Sequence, residues 1–128
     1  MKPPFWLIVV LTTGCGILFG GEEDERRVVG EIQRFGVAVP DTVSVGIPFT
    51  VSVTTGGGGC HRIGETLVDI VGNTATITLY DYDRGSKAIC TLILIGFEHI
   101  AQVTFDARGA AIVVIHGHVV LEYAVWVE

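Results

Sequence analysis

Apolar and polar residues alternate with a period of two along most of the chain after Val28. The alternation is clearest in four segments, residues 49–54, 74–80, 102–106 and 119–127. A period of two places every second side chain on the same face, as in a β-strand with one buried face. The apolar positions are mostly β-branched or aromatic, which suits a pleated surface. The pattern therefore predicts strands, with almost no helical period between them.

Turn-forming residues separate these segments at short intervals. The clearest are Pro40-Asp41, the run Gly56–Gly59, Gly72-Asn73 and Arg108-Gly109. Short strands with turns every 8–12 residues or so are typical of a sandwich or barrel. One stretch, residues 89–95, is apolar on both faces, and it fits a doubly buried strand, a short helical turn or part of an interface. The final strand is also apolar on both faces, which predicts an exposed edge that pairs or packs with a partner.

Two segments resemble bacterial immunoglobulin-like domains. Thr42–Val51 (TVSVGIPFTV) is similar to their opening, in which a short first strand turns through Gly-x-Pro into the second strand. Gly109–Val114 is similar to their closing strands. The resemblance implies an all-β fold, an immunoglobulin-like antiparallel β-sandwich of about seven strands, as one domain over residues 28–128.

The first fifteen residues have the parts of an export signal. Lys2 supplies a positive charge, residues 5–11 form a short apolar run, and small residues precede Cys15. This arrangement resembles the lipobox of bacterial lipoproteins, although the leucine lies one place early, at Leu11. The resemblance implies cleavage after Gly14 and lipidation of Cys15.

These boundaries divide the chain into a signal peptide (1–14), a lipidated cysteine with a flexible acidic tether (15–27) and the β domain. The resemblance implies an outer-membrane or cell-surface lipoprotein of the cell envelope, with its domain in the periplasm or outside the cell. Gly16 stands where many inner-membrane lipoproteins carry aspartate. Secretion without acylation is the alternative. An uncleaved membrane helix is disfavoured because the apolar stretch is shorter than the roughly 20 residues that a bilayer requires.

Charge narrows the range of partners. The formal net charge is −6, and the eight Lys and Arg residues are scattered. Nucleic-acid binding depends on clustered cations, and attraction to anionic lipid also needs basic residues. The expected partners are the membrane, through the lipid on Cys15, and a protein or envelope ligand, with no nucleic acid.

With Cys15 assigned to lipid, Cys60 and Cys90 remain to form one disulfide. Such a bond persists in the oxidising compartments that exported proteins reach. It would close a loop of about thirty residues and stabilise a small domain by roughly 3–4 kcal/mol. The rival interpretation is a reactive or metal-binding thiol beside His61.

Candidate binding residues lie around two loops, residues 56–62 and 81–87, where loops on a rigid scaffold often carry function. They are His61, Arg62, Tyr80, Tyr82 and Arg84. Residues 81–85 (DYDRG) superficially resemble a calcium loop, but Gly85 occupies the fifth position, which should supply an oxygen ligand. The segment is therefore predicted to be an acidic turn.

No catalytic pattern is visible, so we expect a binding or structural role, no cofactor and no enzymatic activity. Paired carboxylates suited to acid–base work and the Gly-x-Ser-x-Gly elbow are both missing from the sequence. The alternative is a small metal-binding or redox-active envelope protein. It would use His116, His118 and His61 together with Cys60 and Cys90.

Overall fold

A computed structural model describes residues 25–85, 90–91 and 93–128. Their regular structure is entirely β. The strands are β1 (Arg26–Val29), β2 (Glu31–Ala38), β3 (Thr42–Val43), β4 (Phe49–Gly57), β5 (His61–Val71), β6 (Thr74–Asp83), β7 (Ile95–Val103), β8 (Gly109–His116) and β9 (Val120–Val127). The predicted all-β class is confirmed. Across the described part of the chain, no helix is long and apolar enough to span a bilayer.

The nine strands form two sheets that pack face to face as a sandwich, consistent with an immunoglobulin-like architecture. The larger sheet has the order β1-β6-β8-β9-β3, with β5 on the other side of β6. Strands β1 and β8 occupy successive parts of β6, since β1 pairs with Tyr80–Asp83 and β8 with Thr74–Thr78. The smaller sheet has the order β2-β4-β7.

Two pairings within the larger sheet are parallel. β3 runs parallel to β9, and β6 runs parallel to β8. The chain reaches β8 from β6 only after crossing to β7 in the other sheet, so β8 enters in the same direction as β6. The remaining pairings are antiparallel. The sandwich therefore combines the expected antiparallel hairpins with two parallel contacts.

The core lies between the sheets and is built from alternate residues of each strand. Its fully buried members include Val51, Val53, Ile77, Leu79, Val103, Phe105, Val113, Ile115 and Val127. Burying a side chain of this kind contributes about 1.5–3 kcal/mol relative to exposing it. The alternation that predicted these strands therefore also identifies the residues that hold the sheets together.

The exposed edge of the larger sheet is β5, whose Leu67 and Val71 are 47% and 70% exposed. The final strand has less free edge than predicted. Its C-terminal end is covered by β3, because Thr42 pairs with Trp126 and Val43 with Val127.

β1 begins at Arg26, so the last two residues of the segment expected to be a tether belong to the larger sheet. Residues 15–24, including Cys15, lie outside the described residues.

Candidate functional site

One end of the sandwich holds a cleft of about 540 Å³. It forms where the chain crosses from β1 in the larger sheet to β2 in the smaller sheet, at Gly30. The end of β4 and the start of β7 supply the opposite side. The lining residues are Val28, Val29, Glu31, Gln33, Gly56, Gly57, Gly58, His61, Asp81, Leu94, Ile95 and Gly96. This volume lies within the range of small-molecule sites, about 300–1,000 Å³.

Glycines keep this cleft open. A Cβ added at Gly57 would lie 2.7 Å from Cβ of His61, and one at Gly56 would collide with the amide of Gln33. Gly56 and Gly57 therefore have no room for side chains on those sides. Glycine within a strand often marks a place where another group approaches closely. The glycine run, which the sequence marks only as a turn, shapes one wall of the cleft.

The apolar side of the cleft is incompletely covered. Leu94 is 92% exposed, just before β7 begins at Ile95. Ile93, which precedes it, is 50% exposed. This part of the stretch 89–95 is therefore neither a doubly buried strand nor a helical turn. Residues 89 and 92 lie outside the described ranges.

A chain of buried hydrogen bonds joins the two sheets beside the cleft. Nε2 of His99 on β7 lies 2.9 Å from Oδ1 of Asp81 on β6. Thr55 on β4 donates its hydroxyl to Oδ2 of the same carboxylate, at 2.6 Å. On the other side of the imidazole, Nδ1 lies 2.7 Å from Oγ1 of Thr66 on β5. Each of these three hydrogen bonds connects the larger sheet with the smaller one.

The carboxylate of Asp81 lies at the centre of these hydrogen bonds, and we call it the buried hub. It is 2% exposed, and His99 is 1% exposed. An ionised carboxylate only accepts hydrogen bonds, so this geometry fits the His99 tautomer in which Nε2 donates to Asp81 and Nδ1 accepts from Thr66. Gly64 adds a longer backbone N–H contact to Oδ1, at 3.4 Å. The prediction that Asp81 belongs to an acidic turn is wrong, because β6 continues to Asp83 and Asp81 faces inward.

Gly30 packs directly against the hub. A Cβ at Gly30 would lie 2.6 Å from Cγ2 of Thr55 and 3.2 Å from Oδ2 of Asp81. Its own N–H donates to the carbonyl of Leu79, and its carbonyl accepts from the N–H of His118. The crossover between the sheets is therefore held at the buried carboxylate.

Three predicted binding residues lie on a different surface, the outer face of β1, β5 and β6. The guanidinium of Arg62 lies 4.4 Å from the ring centre of Tyr82. That of Arg27, which the sequence did not single out, lies 4.0 Å from the ring centre of Tyr80. Cation–π contacts of this kind are worth about 0.5–1 kcal/mol at exposed positions.

Two carboxylates complete this outer surface. Glu25 accepts two hydrogen bonds from Arg62, both at 2.8 Å, and Glu65 accepts one from the hydroxyl of Tyr82. The hydrogen bond from Arg62 lowers the pKa of Glu25, and the one from Tyr82 lowers the pKa of Glu65. The same contact with Glu65 raises the pKa of Tyr82. The charged groups named here therefore pair with one another, Arg62 with Glu25 and Arg27 with Glu65.

His61 and Arg84 are placed apart from the Arg–Tyr surface. His61 lines the cleft, where its Nδ1 accepts from the N–H of Gly58 at 2.9 Å and its Nε2 lies 3.8 Å from Oδ2 of Asp83. Arg84 follows β6 and donates its backbone N–H to the carbonyl of Cys60. The five predicted residues are thus divided between a cleft, an outer face and a strand end.

The structure pairs Cys60 with Cys90 in a disulfide, with Cα atoms 5.1 Å apart. That separation is normal for the bond. Cys60 comes directly before β5, and Cys90 lies five residues before β7 at Ile95. The disulfide therefore ties together two connections at the cleft end of the sandwich.

The histidines proposed for a metal site do not converge. His116 is exposed at the end of β8, whereas Nδ1 of His118 accepts from the N–H of Ile32 at 3.0 Å. Among the described residues, no three His, Cys, Asp or Glu side chains are grouped as a metal site.

The pairing of Asp81 with His99 was not predicted, although the strand pattern of the sequence contains a signal for it. Asp81 continues the inward series Ala75, Ile77, Leu79, and His99 continues the inward series of β7. A polar residue at an inward strand position must find a buried partner. Two such residues on facing sheets could have been paired on that ground.

The fold and the site define a two-sheet β-sandwich with an open cleft and a buried polar link at one end. Comparison with protein-family models, curated proteins and solved structures finds no match to this chain.

Proposed function

We propose that this chain is an exported lipoprotein of the bacterial cell envelope whose β-sandwich has a binding role. The signal resembles a lipobox, and cleavage would leave Cys15 as the acylated first residue. Anchoring would place the domain in the periplasm or at the cell surface. The partners are then the membrane, through the lipid, and a ligand of the domain.

The observation that carries this proposal is the Cys60–Cys90 disulfide. Disulfides persist in exported proteins and are uncommon in the reducing cytosol. The bond also leaves Cys15 as the cysteine free for lipid, in agreement with the signal. The compartment that the N-terminal segment predicts is thus supported by a disulfide within the domain.

A binding role is favoured over catalysis by the environment of the His99–Asp81 pair. His99 is buried, and both of its ring nitrogens are engaged within the protein. A catalytic base must reach the proton that it abstracts, and this imidazole faces the interior. The cleft, in contrast, is open and partly apolar, as ligand sites are.

Intact-mass measurement of the protein extracted from membranes of a bacterial host tests the proposal. We expect the mass of residues 15–128 plus three acyl chains and glycerol, with two hydrogens missing for the disulfide. Cys15→Ser is the matched variant, and it should move the protein to the soluble fraction or leave the signal uncleaved. Full-length unmodified mass of the native protein, or an acylated mass that survives Cys15→Ser, would contradict lipidation.

A further inference from the structure

We propose that the cleft binds a small amphipathic amine, with its ammonium group near Asp81 and Glu31 and its apolar part against Leu94. This inference rests on the binding role proposed above and specifies the ligand class. It is independent of whether Cys15 is acylated.

The charge of the cleft determines the sign of the ligand. Two carboxylate residues line it, Asp81 on the inner side and Glu31 at the rim, and no Lys or Arg is among the described residues lining it. His61 is directed elsewhere, to Gly58 and Asp83. A cation is therefore attracted to this cleft, and an anion is repelled.

Asp81 has acceptor capacity left for such a ligand. A carboxylate offers about four lone-pair positions, and three donors from the protein approach this one, Thr55, His99 and Gly64. One position remains, on a residue that lines the cleft. A hydrogen bond from an ammonium group would complete the set, and charge-assisted bonds are roughly twice as strong as neutral ones.

The apolar part of the ligand follows from Leu94. A leucine that is 92% exposed at the mouth of a cleft leaves apolar area in water. Covering apolar area is favourable roughly in proportion to the area removed from water. Val28 and Ile95 extend the same apolar lining. A ligand with an amine at one end and a ring or aliphatic chain at the other therefore matches both halves of the cleft.

The test is a titration of the full chain in a neutral, mild detergent, followed by backbone amide NMR. The probes are 2-phenylethylamine, 2-phenylethanol and 3-phenylpropionate, which share a ring and differ in charge. We expect the amine to bind about tenfold more tightly than the alcohol, and the carboxylate least. The shifts should be centred on Gly58, Gly64 and Gly96. Equal affinity for the amine and the alcohol, or shifts centred outside the cleft, would overturn the proposal.

Two variants separate the contributions without disturbing the buried hub. Glu31→Gln should reduce the preference for the amine over the alcohol, and Leu94→Ala should weaken the binding of both by a similar factor. Glu122→Gln, an exposed residue on β9, is the matched control and should leave both affinities unchanged. A preference unaltered by Glu31→Gln would remove the rim carboxylate from the site. A correctly acylated protein that binds no amine would reject the ligand class and leave the proposed lipoprotein intact.

Discussion

Asp81 on the larger sheet and His99 on the smaller sheet are joined across the sandwich by a bond of 2.9 Å, and neither side chain is exposed by more than a few per cent. The pair stands among apolar residues, where an unpartnered polar group is costly. It links the packing of the sheets to the cleft, because Asp81 contributes to both.

The hydroxyl of Thr55 is the link that can be removed with least change of shape. Thr55→Val leaves Oδ2 of Asp81 without its 2.6 Å donor, and we expect a loss of about 1–3 kcal/mol in the free energy of unfolding. Thr50→Val, on the same strand but exposed, is the control and should change stability by less than about 0.5 kcal/mol. Urea denaturation measures both. Equal effects of the two substitutions would show that the buried bond contributes nothing.

The disulfide should be a substantial part of the stability. Cys60 and Cys90 are separated by 30 positions, and the chain-entropy model gives about 3.5 kcal/mol for a loop of that size. Replacing both cysteines with serine should lower the free energy of unfolding by about that amount. A reductant should destabilise the native protein and leave the double variant unchanged. A double variant as stable as the native protein would contradict this prediction.

Gly30 should tolerate no side chain. Gly30→Ala places a methyl group 2.6 Å from Thr55, and overpacking of this kind costs about 1–3 kcal/mol. Gly58→Ala is the control, because its Cβ would meet Ile93 only at an ordinary 3.7 Å. Thermal unfolding should show a lower Tm for the first variant alone. Similar Tm values for both variants would contradict this prediction, because they would mean that the backbone at residue 30 can move away from Thr55 and Asp81 at little cost.

The outer face should make stability depend on pH at the acid end. The pKa of Glu65 is lowered in the folded protein from its ordinary value of 4.5, chiefly by the hydrogen bond from Tyr82. The contribution of Glu65 is therefore present above pH 4.5 and is lost as the pH falls through the folded pKa. Glu65→Gln should flatten the decline in stability below pH 4.5, measured by urea denaturation at several pH values. Glu122→Gln serves as the control, and an unchanged decline in the Glu65 variant would contradict the argument.

The hydrogen bond between Tyr82 and Glu65 should also make stability depend on pH at the alkaline end. The contact with Glu65 raises the pKa of Tyr82 above its ordinary value of 10.0. Its contribution is present below pH 10 and is lost as the pH rises through the folded pKa. Spectrophotometric titration of tyrosine should show a group that ionises above pH 10.0 in the native protein. Tyr82→Phe should remove that group, whereas Tyr123→Phe should leave it.

Strand positions could be predicted from the sequence because alternation reports directly which face is buried. Residues 74–80 show this best, and the structure buries Ala75, Ile77 and Leu79 as the pattern requires. The parallel pairing of β6 with β8 could not be predicted, because it depends on an intervening strand that crosses to the other sheet. The cleft could not be predicted from the sequence either, because its walls come from segments that are far apart in the chain. Asp81 was misassigned because the residues after it look like a turn.

The position of β1 limits how far the cleft can lie from the membrane if Cys15 carries the lipid. Arg26 pairs with Asp83, beside Cys60 and the cleft, so the chain enters the sandwich at its cleft end. Even when fully extended, the eleven residues from Cys15 to Glu25 reach no more than about 35 Å between their Cα atoms. The cleft end of the sandwich would therefore stay within about that distance of the bilayer surface. Its ligands would be met near the membrane rather than far out in the bulk solution.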